Sequence, residues 1–296
     1  MSPGRLFLGL LPWYSVLIVT GMALAIFLCH LEEKRLGFPR DTAYDIALSV
    51  IPIGIVGARL YYVIFNSASF LRDPLSIVRI WEGGLAIYGG VIGGFLGLWL
   101  LARRKRLSLP LLLDAVVPGL ALAQGIGRWG NFFNSEAYGA AITDRAWQFF
   151  PAGVLIGESW HLATFFYESV ADILIFVLLW TSRRRRKHPG DGFLMYLILY
   201  GAARCLVEGL RSDSLYGFGG FRVSQLLSIA MCLFVCGVWA WRAEPKARWL
   251  LALPAAGLAV FCLTRSASLG AQTLGCAVFG LLAIAGWLLL RRRKTH

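Results

Sequence analysis

The sequence predicts an all-α polytopic membrane protein with a seven-helix transmembrane core, a small extracytoplasmic head and an additional C-terminal transmembrane hairpin. Three observations carry that prediction. Apolar residues make up 58% of the chain and gather into runs such as WYSVLIVTGMALAIFLC (13–29) and AQTLGCAVFGLLAIAGWLLL (271–290). Those runs approach or reach the roughly 20 residues that a helix needs to cross hydrocarbon. Most of the 29 Lys and Arg residues sit in short connectors: EEKRLGFPR (32–40), RRKR (103–106), RRRRK (183–187), RAEPKAR (242–248) and RRRK (291–294). Finally, a few ionisable residues interrupt the apolar runs. A charge at the bilayer centre costs about 2.5–3.5 kcal/mol on insertion scales, so such groups face a bundle interior.

Spans are expected near 12–31, 43–65, 84–102, 110–127, 164–182, 192–210, 223–241, 249–264 and 271–290. All are helical, because only helices and closed barrels satisfy the backbone in lipid. The first is no cleaved signal peptide: it lacks a basic start with a small-residue cleavage site, and further spans follow it. The third opens with GGLAIYGGVIGGFLG (83–97), whose glycines recur at spacings of three and four, a pattern that lets helix backbones approach closely. It lacks the lysine of a phosphate-binding loop. The eighth is short and contains Pro254. Residues 1–248 are expected to form the core, with 128–163 as the head segment, and 249–290 the added hairpin. Each basic connector follows an odd-numbered span, so the positive-inside rule places the N-terminus outside and the C-terminus inside. The net charge of +13 is thereby absorbed by topology, and no nucleic-acid partner is expected. The six cysteines fall inside apolar segments without metal-ligand spacing.

The charges away from the basic connectors favour the outer half of the membrane. Arg59 lies near the outer end of span two, Arg128 at the end of span four, and Glu168 and Asp172 early in span five. In YGAARCLVEGLRSDS, Tyr200, Arg204, Glu208 and Arg211 form one stripe on a helix. Arg204 and Glu208 either pair to hold the bundle or, with the spare positive charge beside them, serve an anionic ligand. Tyr88 stands at the outer mouth of span three. In QGIGRWGNFFNSEAYG (124–139), Gly125, Gly127 and Gly130 are expected to permit a tight, irregular exit from the membrane. Asn131, Asn134 and Glu136 are then free to hydrogen-bond backbone and arginine. A guanidinium fork suits a phosphodiester, and the abundant phosphodiester at this depth is a phospholipid headgroup.

Taken together, these residues resemble the bacterial prolipoprotein diacylglyceryl transferases. GRWGNFFNSEAYG (127–139) fits that family's signature throughout. The likeness extends to WYS (13–15), GARLYYVIFN (57–66), WEGGLAIYGGVIGG (81–94), TFFYES (164–169), YGAARCLVEGLRSDSL (200–215) and RVSQLLS (222–228). The resemblance implies transfer of the diacylglyceryl group of phosphatidylglycerol to the lipobox cysteine thiol of a secreted precursor, with glycerol phosphate leaving. It implies no metal or nucleotide cofactor, and a bacterial cytoplasmic membrane as the location. It makes Arg128 the holder of the lipid phosphate and Arg204 its partner near the leaving phosphate or incoming thiol. Tyr14, Asn131, Glu136, Gly139, Tyr200 and Glu208 match positions that shape the site, and Arg211 and Arg59 join them as candidate substrate-binding residues. Two departures stand out. Some members have a histidine where this chain has Tyr88, and a tyrosine with a pKa near ~10 is a poor base at neutral pH. The family's histidine-proline pair is also missing, with His161 displaced by one residue in HLATFFYE (161–168). Tyr88 is therefore expected to position substrate while the arginines do more of the activation. Two rival readings are a lipid transporter and a non-catalytic relative that binds lipid or lipobox precursors.

Overall fold

The structure is a computed structural model of the chain that describes residues 6–7, 11–71, 73–186, 188–211, 222–243, 245–264 and 269–292. Among the motifs quoted above and the expected hairpin, residues 187, 212–215, 244, 265–268 and 293–294 lie outside the described residues. Two short strands, β1 (Leu6–Phe7) and β2 (Leu11–Pro12), precede α1 (Trp13–Leu36) and α2 (Thr42–Phe65). A single turn, α3 (Ser67–Phe70), leads through two 3-10 turns to α4 (Ile87–Lys105) and then α5 (Leu109–Asn134). A hairpin of β3 (Gly153–Ile156) and β4 (Ser159–Leu162) stands before α6 (Thr164–Ser182), α7 (Asp191–Leu210) and α8 (Val223–Arg242). Helices α9 (Ala252–Thr264) and α10 (Leu269–Arg292) close the chain.

Among the described residues, seven of the nine expected spans are helices long and apolar enough to cross a membrane. The glycines and terminal arginines of α4 lower its hydropathy, and α9 has only 13 residues. The basic residues recur at the C-terminal ends of helices: Lys34 and Arg35 on α1, Arg103 to Lys105 on α4, and Arg242 on α8. Positive charge there also complements the helix dipole.

The chain forms two compact units, residues 24–119 and residues 1–23 with 120–296. In the first of these, α2 and α4 lie backbone to backbone. A Cβ added at Gly89 would stand 2.3 Å from the Gly57 carbonyl oxygen, and one at Gly93 2.4 Å from that of Ile53. The glycine pattern of GGLAIYGGVIGG is therefore a packing device. Cys29, Ile46, Leu98, Leu101 and Leu112 fill the core beside this contact.

Arg59 anchors the connector between α3 and α4. Its Nε donates to the Ile77 carbonyl at 2.9 Å, Nη1 to Gly83 at 2.7 Å and Gly84 at 3.0 Å, and Nη2 to Ser76 and Arg79. The turn that brings these carbonyls inward needs positive φ at Gly83 (91°) and Gly84 (74°). Every nitrogen of the guanidinium is committed to main chain, so Arg59 has no donor to offer a substrate. The structure gives Arg59 a role in holding this connector. Hydrogen bonds from a charged group are worth about 1.5–3 kcal/mol each. Arg59→Met is thus expected to lower the melting temperature in detergent and to speed proteolysis within residues 73–84. Unaltered cleavage there would show that the clamp is dispensable.

In the second unit, the C-terminal hairpin is built into the core. Phe261 of α9 and Cys276, Phe279, Ala283 and Trp287 of α10 pack with Ile198, Cys205, Cys232, Val235 and Trp239 of α7 and α8. Arg242 at the end of α8 pairs with Asp191 at the start of α7 (3.2 Å).

Candidate active site: a carboxylate between three arginines

The signature motif is helical where an irregular exit was expected. Helix α5 continues through Arg128 and Asn131 to Asn134, and its glycines serve close packing. A Cβ at Gly130 would lie 2.6 Å from Cδ2 of the Tyr14 ring, and one at Gly125 3.2 Å from the Ser169 carbonyl oxygen on α6. Gly125 thus brings α5 against the start of α6, where Trp129 Nε1 donates to Ser169 Oγ (3.1 Å) and Ser169 Oγ donates to the Gly125 carbonyl (2.8 Å). Trp13 stacks on Phe133 at 4.9 Å, fixing Tyr14 beside the motif. The continuous helix holds Arg128 on a rigid element rather than on a loop.

Beyond Asn134 the chain turns sharply. Ser135 (φ 56°) and Ala137 (φ 57°) occupy the left-handed region, where non-glycine residues are uncommon. The turn is held by Glu136, whose Oε1 accepts from Asn131 Nδ2 (3.0 Å) and Asn134 Nδ2 (3.2 Å). Thr164 Oγ1 donates to the Ala137 carbonyl at 2.8 Å. Asn131 and Glu136 thereby shape the loop together. Gly139 acts through its backbone. It donates to the Leu162 carbonyl (2.9 Å), while Ala140 donates to that of Leu210 (3.0 Å), tying the head to the end of α7. A Cβ on Gly139 would come within 2.7 Å of both Leu162 Cβ and Leu210 O. His161 Nδ1 faces the Gly139 carbonyl at 3.1 Å and so must be the donor, which gives this histidine a bracing role in the head.

The centre of the site is Glu168, one turn into α6 and 4% exposed. Its Oε2 lies 2.7 Å from Arg128 Nε of α5, and its Oε1 pairs with Arg204 Nη1 of α7. Arg211 Nη1, just past α7, lies 4.0 Å from the same Oε1. The second terminal nitrogen of Arg204, Nη2, meets Glu208 Oε2 at 2.7 Å. Neither Glu168 Oε2 nor Glu208 Oε2 receives an aligned N–H, so these contacts are charge pairs rather than directed hydrogen bonds. The Glu208 carbonyl in turn accepts from Arg222 Nη1 at the start of α8. Arg128, Glu168, Asp172, Tyr200 and Arg204 line a cavity of about 10 Å³, room for one water-sized body.

The structure therefore gathers Arg128, Arg204, Glu208, Arg211 and Tyr200 around one point. Tyr14, Asn131, Glu136 and Gly139 build the motif and head of the same unit. Tyr88 belongs to the other unit, half-buried, with its ring 6.3 Å from that of Tyr61. Glu168 and Asp172 were visible in the sequence only as charges in an apolar span. Their spacing of four on one helix was the available signal, and it does not say which arginines they meet. Among the described residues no group of three or more His, Cys, Asp or Glu side chains is placed to hold a metal ion.

The chain has relatives among known proteins. A family model described as prolipoprotein diacylglyceryl transferase matches residues 7–241. The chain is similar to a phosphatidylglycerol–prolipoprotein diacylglyceryl transferase of Enterococcus faecalis, 44% identical over 228 residues that cover 74% of this chain and 82% of the relative. It is also similar to enzymes of that name from Limosilactobacillus reuteri (44% over 226 residues, 73% and 82% of the two chains) and Lactobacillus delbrueckii subsp. bulgaricus (40% over 249 residues, 81% and 90%). With a match of this length and identity, running through the motif that carries Arg128 and the helix that carries Arg204, the chain belongs to the prolipoprotein diacylglyceryl transferase family.

Proposed function

We propose that this protein transfers the diacylglyceryl group of phosphatidylglycerol to the lipobox cysteine thiol of a prolipoprotein, forming a thioether and releasing glycerol phosphate. The observation that carries the reading is the charge chain Arg128–Glu168–Arg204–Glu208, in which both carboxylates are buried and both arginines half-buried. Two arginines from different helices converge on one anionic group, the arrangement that a phosphodiester requires. Glu168 marks the point on which the two guanidinium groups converge. Because the cavity is water-sized, lipid binding must part the Arg128 and Arg204 pairs from Glu168 and let the phosphate replace it.

Arg128 then holds the phosphate and Arg204 faces the charge that develops as the carbon–oxygen bond breaks. A fixed donor aimed at developing charge is worth about 2.7–4 kcal/mol. Glu208 keeps Arg204 aimed, while Tyr200 lines the cavity and Arg211 approaches Glu168 from beyond α7. Tyr14, Asn131, Glu136 and Gly139 hold the motif and head in shape. Tyr88 positions substrate through its hydroxyl. The basic helix ends support an N-out, C-in orientation in a bacterial cytoplasmic membrane, since short cytoplasmic loops carry such charge. With that orientation, the site's position at the opposite end of α6 from the arginines 183–185 supports an outward-facing site, where secreted precursors emerge.

The test is a mass assay with purified protein, phosphatidylglycerol and a lipobox peptide. The wild-type protein is expected to yield peptide heavier by one diacylglyceryl group. Arg128→Ala is expected to lose at least about 100-fold in rate, the scale for one such donor. No adduct from folded wild-type protein, beside an active control enzyme, would overturn the reading in favour of a lipid- or precursor-binding relative.

A further inference from the structure

Asp172 is the one carboxylate lining the cavity that no arginine satisfies in the way Glu168 is satisfied. It lies one helical turn inward from Glu168 on the same face of α6 and is 3% exposed. Its Oδ2 is buried and accepts no hydrogen bond. Helix α5 passes close beside it, since a Cβ on Gly125 would stand 3.4 Å from Asp172 Cβ. The ionisable groups facing it are Arg128 of α5, Glu168 of its own helix, and Tyr196, Tyr200 and Arg204 of α7. Tyr196 is already engaged, donating to Gln124 Oε1 at 2.9 Å. Leaving a buried carboxylate oxygen unpaired is costly, and such an atom calls for a partner that arrives with function.

Resting on the transferase reading above, we infer that Asp172 is the proton acceptor of the reaction, taking the proton of the incoming cysteine thiol. The chemistry balances without a co-reactant. The S–H proton passes to Asp172 Oδ2 as sulfur bonds to the glycerol carbon of the diacylglyceryl group. The bond from that carbon to the phosphate oxygen breaks, and its electron pair leaves with glycerol phosphate as a dianion. The carboxylic acid then returns its proton to that dianion, whose second pKa is about 6 as for other phosphate monoesters. A carboxylate also suits this task by sign. It repels phosphate oxygens, which belong to the arginines, and it attracts S–H.

The test is Asp172→Asn, which keeps size and polarity and removes the basic oxygen, measured in the adduct assay with kcat and KM separated and across pH. General-base catalysis contributes about 10²–10⁴-fold. The expected result is a kcat at least 100-fold lower, KM for phosphatidylglycerol within threefold of wild type, and loss of the acidic limb of the kcat profile. Asp172→Glu, which restores a carboxylate, is expected to recover at least a tenth of the wild-type kcat. It also decides the matter if the asparagine variant fails to fold. A folded Asp172→Asn protein with wild-type kcat, or one with only KM raised, would overturn the assignment. So would Asp172→Glu protein that is folded and inactive. Wild-type protein that makes no adduct would defeat the transferase reading itself, whereas an active wild type beside an equally active Asp172→Asn defeats the assignment alone.

Discussion

Arg204→Lys makes diacylglyceryl adduct at less than about one hundredth of the wild-type rate, even though the positive charge is kept. The reason is geometric. One terminal nitrogen of Arg204 meets Glu168 and the other meets Glu208 at 2.7 Å, so the planar fork spans two buried carboxylates at once. A lysine ammonium is a point charge on a flexible stem and satisfies one of them. The carboxylate left behind is nearly inaccessible to water, and breaking a buried pair costs about 3–5 kcal/mol. On the transferase mechanism proposed above, the same substitution removes the second donor that Arg204 would offer a departing phosphate. Gel filtration and the melting temperature in detergent separate the two effects. A Lys variant that is folded, less stable and within tenfold of wild-type activity would limit Arg204 to bracing the helices.

Gly93→Val yields no monodisperse folded protein. The added Cβ would stand 2.4 Å from the Ile53 carbonyl oxygen and 3.1 Å from Gly54 Cα, both main-chain atoms of α2. Overpacking against flexible side chains costs typically about 1–3 kcal/mol. Here no side-chain tip can swing aside, so two helices must separate along their length. Apolar packing between membrane helices depends on such close approach, because lipid tails solvate a parted helix nearly as well. Gly90→Ala is the control: its Cβ would meet Ala58 Cβ at 3.7 Å, an ordinary contact, and the protein is expected to elute as wild type. Recovery of well-folded Gly93→Val protein would show that α2 and α4 need not touch backbone to backbone.

Hydropathy and period are local properties, and what depends on them was legible in the sequence. The apolar runs marked seven helices that are long enough to span, and the spacing of four between Arg204 and Glu208 became a salt bridge within α7. The spacing of the glycines in residues 83–97 became the seam between α2 and α4. Partners across helices depend on rotation and depth, which no local pattern encodes. Arg59 carried the same signal as Arg128, a lone arginine near the outer end of a span. Yet its guanidinium is enclosed by main-chain carbonyls of one connector, while that of Arg128 faces Glu168. The glycines of the 124–139 motif read as breaks in a helix and proved to be contact points within one, because Tyr14 and the Ser169 backbone lie close enough to need the space.

The sequence by itself determined the fold class and the family, since apolar length, charge placement and an uninterrupted motif are properties of the chain alone. Only the tertiary structure decided that Glu168 stands between Arg128, Arg204 and Arg211, that Arg59 is spent on a turn, and that Asp172 keeps an unpaired oxygen. Those outcomes follow from which faces of α5, α6 and α7 meet, and the low polarity between them makes each pairing, and each missing one, consequential.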